Sequence, residues 1–199
     1  MRRALVLTVA LALAACSDDD PAPADATTSE APPSSAASES EPSALALRGD
    51  GLGVIDLGAS PDTAIAAITA ELGDPATDTG WEPSFSSYGT CPGERIRGVE
   101  WSGLVLLFTD GATAYGSGEH LFTWRVVGAP PPVATATGLG FGATAADAED
   151  LYPGQVERVP AEDPFPAFLE IEAEGGQITA YLDDADTITN LEAGAPCGE

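Results

Sequence analysis

Residues 58–64 read GASPDTA, and residues 142–148 read GATAADA. In each stretch a hydroxyl residue, Ser60 or Thr144, follows Gly-Ala and precedes an apolar pattern with helical spacing. Serine and threonine are favoured helix N-caps because their side-chain oxygen accepts a hydrogen bond from a backbone N–H that the helix leaves unpaired. Pro61 suits the first helical position, where its missing N–H costs nothing. The two stretches therefore predict two capped helices, one in each half of the chain.

Glycine and proline mark the predicted helix ends, Gly73 and Pro75 in the first half and Pro153 and Gly154 in the second. Glycine adopts the left-handed conformation that ends many helices, and proline cannot continue the hydrogen-bond ladder. The apolar residues predicted to face inward are Ile65, Ile68 and Leu72 in the first helix, and Ala148, Leu151 and Tyr152 in the second.

Strand patterns follow each helix. Ser102-Gly103 between two apolar runs is a hairpin signal, and Phe122, Trp124 and Val126 alternate on one predicted face. The predicted strands are residues 96–101, 104–109, 121–127, 168–173, 178–182 and, with poor alternation, 187–192. These patterns predict an α+β fold for residues 45–199, a tandem repeat of a short helix plus about three antiparallel strands. The repeat units are about 45–130 and 131–199.

The N-terminus has the features of a secretory signal. Arg2 and Arg3 precede an apolar run over residues 4–12, which leads into small residues and then Cys16. The run is too short to cross a bilayer as a helix. Residues 17–43 contain no large apolar side chain, so they cannot bury enough surface to offset the entropy of ordering. We predict a signal peptide over residues 1–15 and a disordered linker after Cys16, to residue 44.

The start of the chain, Leu13-Ala14-Ala15-Cys16, resembles the lipobox of bacterial lipoproteins. The resemblance implies that Cys16 becomes the mature N-terminus and carries lipid, such as palmitate. It also implies a protein anchored to the cell membrane and facing the extracellular or periplasmic side. Two or more acyl chains make such an anchor stable.

The predicted tandem repeat resembles β-lactamase inhibitory protein and the uncharacterised lipoproteins of high-GC Gram-positive bacteria. The motifs that carry the second likeness are TGLGFGAT at residues 137–144, Tyr152-Pro153-Gly154, and AGAPC at residues 193–197. These motifs correspond to helix caps and turns, and the resemblance as a whole covers most of residues 45–198. No residue by which the inhibitor contacts its target can be matched in this chain. The resemblance implies a fold and a location, and inhibition of an enzyme is analogy alone.

Charge narrows the choice of partners. The chain has 7 Lys+Arg, all of them arginine, against 32 Asp+Glu, and a formal net charge of −25. Nucleic-acid binding needs clustered basic residues, so nucleic acid is excluded as a partner, and anionic lipid headgroups would repel the chain. Two interpretations stay open: attraction of cations or a basic partner, and a solvated surface that only keeps the protein soluble.

With Cys16 assigned to lipid, Cys91 and Cys197 are left as a pair in an oxidising compartment, and we predict a disulfide between them. Two free thiols or a metal pair are the alternatives. A metal pair lacks partners because the only histidine is His120 and no CxxC or HxxxH spacing occurs. No metal or cofactor is predicted.

Few residues suggest chemistry. His120 could serve a hydrolase, but no Gly-x-Ser-x-Gly elbow is present and its glycine-rich surroundings predict an exposed loop. The acidic run at residues 183–187 could form a calcium loop, although a solvated turn explains it without the full twelve-residue pattern. Glu170, Glu172 and Glu174 alternate with apolar residues as the wet face of a strand.

Trp81, Phe85 and Tyr88 are the candidate interaction residues, because aromatic side chains dominate binding hot spots. The alternative is a loop folded over a sheet face and held by the disulfide. We predict a cell-surface lipoprotein that binds an envelope or secreted protein without catalysis. The alternatives are an extracellular structural or sensor module without a dedicated ligand, and a hydrolase that uses His120.

Overall fold

The computed structural model describes residues 45–128 and 130–198, which belong to one compact unit. The predictions for the signal peptide, Cys16 and the linker concern residues outside this range. The described part of the chain contains fourteen strands and two helices. In chain order they are β1 (Leu47–Arg48), β2 (Gly51–Leu52), β3 (Ile55–Asp56), α1 (Pro61–Leu72), β4 (Thr77–Asp78), β5 (Glu82–Ser86), β6 (Gly89–Trp101), β7 (Leu104–Thr109), β8 (Ala112–Thr113), β9 (Gly116–Ser117), β10 (His120–Val127), α2 (Ala145–Leu151), β11 (Val156–Val159), β12 (Phe168–Ala173), β13 (Gly176–Leu182) and β14 (Ile188–Gly194).

One antiparallel sheet of nine strands dominates the fold. Its strand order is β11-β12-β13-β14-β10-β7-β6-β4, and β5 also pairs with β6. β1, β2 and β3 form a three-stranded sheet, and β8 pairs with β9. All of these named strand pairs are antiparallel.

The predicted fold class, a tandem α+β repeat, is wrong: the protein is mostly β-sheet. β10 of the first half pairs with β14 of the second over five residue pairs, so the strands of both halves merge into one sheet. The two helices have only 12 and 7 residues. Strands after each helix were predicted from local patterns, but pairing between the halves joins distant segments and leaves no local pattern.

Both predicted helix starts are confirmed. Ser60 caps α1 by accepting a hydrogen bond from the backbone N–H of Thr63, and Pro61 is the first helical residue. Thr144 caps α2 in a reciprocal arrangement in which Asp147 accepts from the Thr144 N–H. The inward orientation predicted for Leu151 is wrong, because its side chain is exposed at the end of the short second helix.

The main core lies on one face of the large sheet, where the sheet packs against both helices and the N-terminal strands. Residues that lie directly opposite one another in neighbouring strands contribute side chains to this core. One such row across the strands consists of Trp101, Leu104, Val126 and Leu191. A smaller cluster lies on the other face and consists of Cys91, Ile96, Val105, Leu107 and Phe122. We call this second face the open face.

A β-bulge in β10 corrects one prediction about orientation. The pairing of β10 with β7 shifts between Leu121 and Thr123. The shift breaks the two-residue alternation, so Phe122 packs on the open face while Trp124 and Val126 enter the main core. The predicted common face for all three side chains is therefore wrong.

Within the described residues, no helix combines the length and the apolar character that a membrane span requires.

Candidate functional site

The first wall of the site is a hairpin that folds over the open face. β5 and the first residues of β6 form the hairpin, and Tyr88 lies at its tip. Tyr88 covers Gly98 of β6 so closely that a Cβ atom on Gly98 would lie 2.4 Å from the tyrosine hydroxyl. The absence of a side chain at Gly98 thus makes room for the tyrosine ring.

The C-terminal segment holds this hairpin in place. Cys91 and Cys197 form a disulfide across a separation of 106 residues. Next to it, Thr90 and Gly198 exchange two backbone hydrogen bonds, of 2.6 and 2.9 Å. The hairpin and the C-terminal segment therefore form one cross-linked wall above the sheet.

A groove of about 480 Å³ runs between this wall and the loop that contains Phe165. Its floor is formed by the central strands, and Phe165, which is 53% exposed, stands at the opposite rim. The residues that line it are Ser87, Tyr88, Gly89, Arg125, Phe165, Pro166, Tyr181, Asn190, Glu192, Pro196, Cys197 and Gly198. The combination of aromatic walls and a few polar groups is typical of binding sites.

Three polar side chains are linked on the groove floor. Glu192 is buried and accepts a 2.9 Å hydrogen bond from the Tyr181 hydroxyl. Arg125 Nε lies 2.9 Å from the second carboxylate oxygen of Glu192. Burial, with Glu192 as a further cause, raises the pKa of Tyr181 to about 12. Tyr181 therefore keeps its proton at neutral pH and holds Glu192 in a fixed orientation.

Two buried atoms of the floor lack a hydrogen-bond partner within the described residues. They are Asn190 Oδ1 and Arg125 Nε, whose N–H does not point at Glu192 despite the short distance. Buried polar atoms in native proteins are nearly always hydrogen-bonded to protein, water or ligand. Because Arg125 Nε already lies against the Glu192 carboxylate, Asn190 Oδ1 is the acceptor that the floor offers to a molecule in the groove.

One row of residues crosses the strands of the open face, and each residue in it lies directly opposite the next in the strand pairing. From β11 to β6 the row is Glu157, Glu170, Thr179, Glu192, Arg125, Val105 and Glu100. It contains four carboxylates and one guanidinium, and Arg125 is already paired with Glu192. The open face is therefore acidic outside that pair.

The other four arginines of the described residues are also occupied. Arg48, Arg95, Arg97 and Arg158 form ion pairs with Asp50 and Asp56, with Asp110 and Glu119, with Asp78, and with Asp186. Along the described ranges, then, every arginine has a carboxylate partner, and the surplus charge is negative.

The three predicted interaction residues do not form one surface. Trp81 packs against the main core, where the Arg95 guanidinium lies 5.2 Å from its ring centre. Phe85 is 77% exposed. Tyr88 packs against the cluster of the open face, and burial, followed by Glu100 and Glu82, raises its pKa. Of the three, only Tyr88 lines the groove.

His120 occupies a structural position, and the predicted exposed loop is wrong. It is the first residue of β10 and is buried. Its Nε2 lies 2.7 Å from Thr113 Oγ1, and its Nδ1 lies 2.7 Å from the Gly118 carbonyl oxygen. Both ring nitrogens are thus engaged within the fold.

The acidic run at residues 183–187 forms a turn. Asp183 accepts hydrogen bonds from the backbone N–H groups of Ala185 and Thr187, and Asp186 pairs with Arg158. In the part of the chain that the structure covers, no group of three or more His, Cys, Asp or Glu side chains is arranged to hold a metal ion. Glu170, Glu172 and Glu174 are at least partly exposed, in keeping with the wet strand face.

The sequence did not single out Arg125, Phe165, Tyr181, Asn190 or Glu192 as site residues. One signal was present: Arg125 is a charged residue inside a mostly apolar strand. Asn190 and Glu192 caused the poor alternation of the last strand, which was a second sign of polar residues on the sheet.

Comparison of the chain with protein-family models, with curated proteins and with solved structures finds no significant match. The site therefore has to be interpreted from its own geometry.

Proposed function

We propose that this protein is a lipid-anchored binding module of the cell envelope, which captures a partner in the groove on its open face. The observation that carries the proposal is the groove floor, where Asn190 Oδ1 is buried without a hydrogen-bond partner beside aromatic walls. A bound segment that supplies one donor would satisfy this atom. Such satisfaction favours the bound state because a buried unpaired polar atom costs about 1–3 kcal/mol.

The floor groups suit recognition because they are fixed. Glu192 is held by Arg125 and Tyr181, and the raised pKa of Tyr181 keeps its hydroxyl protonated. The cross-linked wall fixes the other side through Cys91–Cys197. A preorganised site binds more tightly because less conformational freedom is lost on association.

The proposed lipid anchor rests on the lipobox-like sequence Leu13-Ala14-Ala15-Cys16. The net charge of −25 supports a lipid-driven contact, since an acidic body gains nothing from anionic headgroups. In this proposal, residues 17–43 serve as the spacer between the anchor and the folded domain, as their composition predicts.

We expect Phe165→Ser to weaken capture of the partner in quantitative pull-downs from envelope extracts with the lipidated full chain. The substitution removes the aromatic ring from the exposed rim of the groove, adds no charge and leaves the core untouched. Phe141→Ser is the matched control, because Phe141 is also exposed and lies outside the groove. Loss of at least about tenfold in recovery corresponds to about 1.4 kcal/mol of binding free energy.

Equal recovery of every protein by wild type and Phe165→Ser would reject the groove as the binding site. It would leave a structural or sensor module without a dedicated ligand as the better interpretation. Equal loss in Phe165→Ser and Phe141→Ser would show nonspecific adhesion to exposed aromatic residues.

We expect Cys16→Ser to remove lipid labelling and to release the protein from the membrane fraction. In cells grown with radiolabelled palmitate, the wild type should carry the label and Cys16→Ser should not. In the lipobox interpretation the Cys16 thiol is the group that accepts the lipid. The surface variant Phe141→Ser is the control, because it keeps all three cysteines and the folded core, and it should keep its label. Unlabelled wild-type protein would contradict the anchor.

A further inference from the structure

A second depression, of about 340 Å³, adjoins the groove and shares Tyr181, Glu192 and Pro196 with it. Phe168 and Glu170 of β12 line its far side. No arginine, lysine or histidine is among its lining residues. We call it the acidic end of the groove.

Glu170 is unusual within this acidic end. It lies directly opposite Glu157 of β11 in the strand pairing, and like charges in that position are destabilising. Neither an ion pair nor a hydrogen bond from any described residue engages the Glu170 carboxylate. Arg158, the nearest arginine along the chain, is paired with Asp186. The fold therefore keeps the half-buried Glu170 carboxylate beside the exposed Glu157, without an ion-pair partner among the described residues.

An aromatic pair stands next to this carboxylate. The rings of Phe168 and Tyr181 have centres 5.8 Å apart and a tilt of 45°. Aromatic faces attract ammonium and guanidinium groups, and the attraction grows when the cation is partly desolvated. Carboxylates and ring faces that share one concavity are complementary to a single organic cation.

We propose that the acidic end binds one arginine or lysine side chain of an extended basic segment in the partner protein. The assignment rests on the proposed function and names the class of partner for the same groove. The side chain would compensate Glu170 and lie against the Phe168–Tyr181 rings, while the backbone of the segment meets Asn190 in the main groove. The surplus of carboxylates on the rest of the described surface attracts such a partner from a distance.

The test uses the lipidated full chain in non-ionic detergent and two immobilised peptides, Ac-Gly-Ser-Arg-Ser-Gly and its citrulline counterpart. Citrulline keeps the size and shape of arginine but carries no charge. Biolayer interferometry should give at least about tenfold tighter binding of the arginine peptide, the ratio expected for about 1.4 kcal/mol. Glu170→Gln should weaken binding of the arginine peptide about tenfold and leave citrulline binding unchanged.

Glu174→Gln is the matched control, because it removes the same charge from an exposed residue outside both depressions. It should change either affinity less than about twofold. Equal binding of the two peptides to wild type, or no binding at millimolar peptide, overturns the cation assignment. So does a loss in Glu174→Gln as large as that in Glu170→Gln, since general acidity would then be sufficient.

These outcomes are separable from the fate of the proposed function. Capture that depends on Phe165 together with equal binding of both peptides retains the groove and rejects the basic segment. Capture that ignores Phe165 rejects the groove itself, whatever the peptides do.

Discussion

Removal of the disulfide in Cys91→Ser/Cys197→Ser is expected to lower the free energy of unfolding by up to about 4.7 kcal/mol. The bond closes a loop of 106 residues, and the chain-entropy model gives roughly this value for a loop of about 100 residues. Domains are commonly stable by about 5–15 kcal/mol, so the variant should be marginal at best. Urea unfolding followed by circular dichroism measures the difference.

The effect should also be local. Without the bond, the wall of the groove is held by the two backbone hydrogen bonds between Thr90 and Gly198 and by the packing of Tyr88. Hydrogen exchange should therefore speed up first over residues 82–91 and 195–198, before the central strands. Wild type reduced with dithiothreitol is the control and should match the double variant. A loss below about 1 kcal/mol, with unchanged exchange in both segments, would contradict the assigned role of the disulfide.

Local signals carried the successful predictions of the fold. Ser60 and Thr144 cap helices, and the turn at Ser102 and Gly103 joins two paired strands, because caps and tight turns depend on residues within a few positions. Ser102 and Gly103 both have positive φ, 49° and 92°, as the two central residues of such a hairpin require. Trp101, Phe108, Phe122 and Trp124 are buried, as their apolar character predicts.

Long-range pairing accounts for the failures. The side-chain hydroxyl of Thr123 donates to the Ala193 carbonyl across 70 residues of sequence, at the seam where β10 meets β14. Nothing in either segment indicates that partner, so two repeats were predicted where one sheet exists. The same holds for His120, whose glycine-rich neighbours indicate a loop while Thr113 and the Gly118 carbonyl bury its ring.

The site was harder to predict than the fold because it is assembled from the loops and strand ends of both halves. Of the residues that line the groove, the sequence singled out Tyr88 as an interaction residue and Cys197 as a disulfide partner. Both lie on the wall, whereas Arg125, Tyr181 and Glu192 come from three neighbouring strands of the floor. The excess of carboxylates was visible in the composition, but its placement opposite aromatic rings depends on the register of β11, β12 and β13.

Trp124→Ala is expected to lower the free energy of unfolding by about 3–5 kcal/mol, the range for large aromatic residues in a core. Trp124 is fully buried in the central strand β10, and its indole N–H donates a 3.0 Å hydrogen bond to the Arg48 carbonyl oxygen of β1. The residue thus ties the large sheet to the N-terminal strands. Urea unfolding of the full chain measures the loss.

Two further variants separate the contributions of packing and hydrogen bonding. Trp124→Phe keeps a ring but leaves the Arg48 carbonyl without its donor, so it should cost about 1–3 kcal/mol. Trp81→Ala removes a half-buried tryptophan at the margin of the same core and should cost less than Trp124→Ala, because less apolar surface returns to water. Equal losses in Trp81→Ala and Trp124→Ala would contradict a core centred on β10. The larger loss expected for Trp124→Ala also bears on function, because β10 carries Arg125 on the open face. A strand that Trp124 fixes on the core side holds the Arg125 guanidinium in the groove floor.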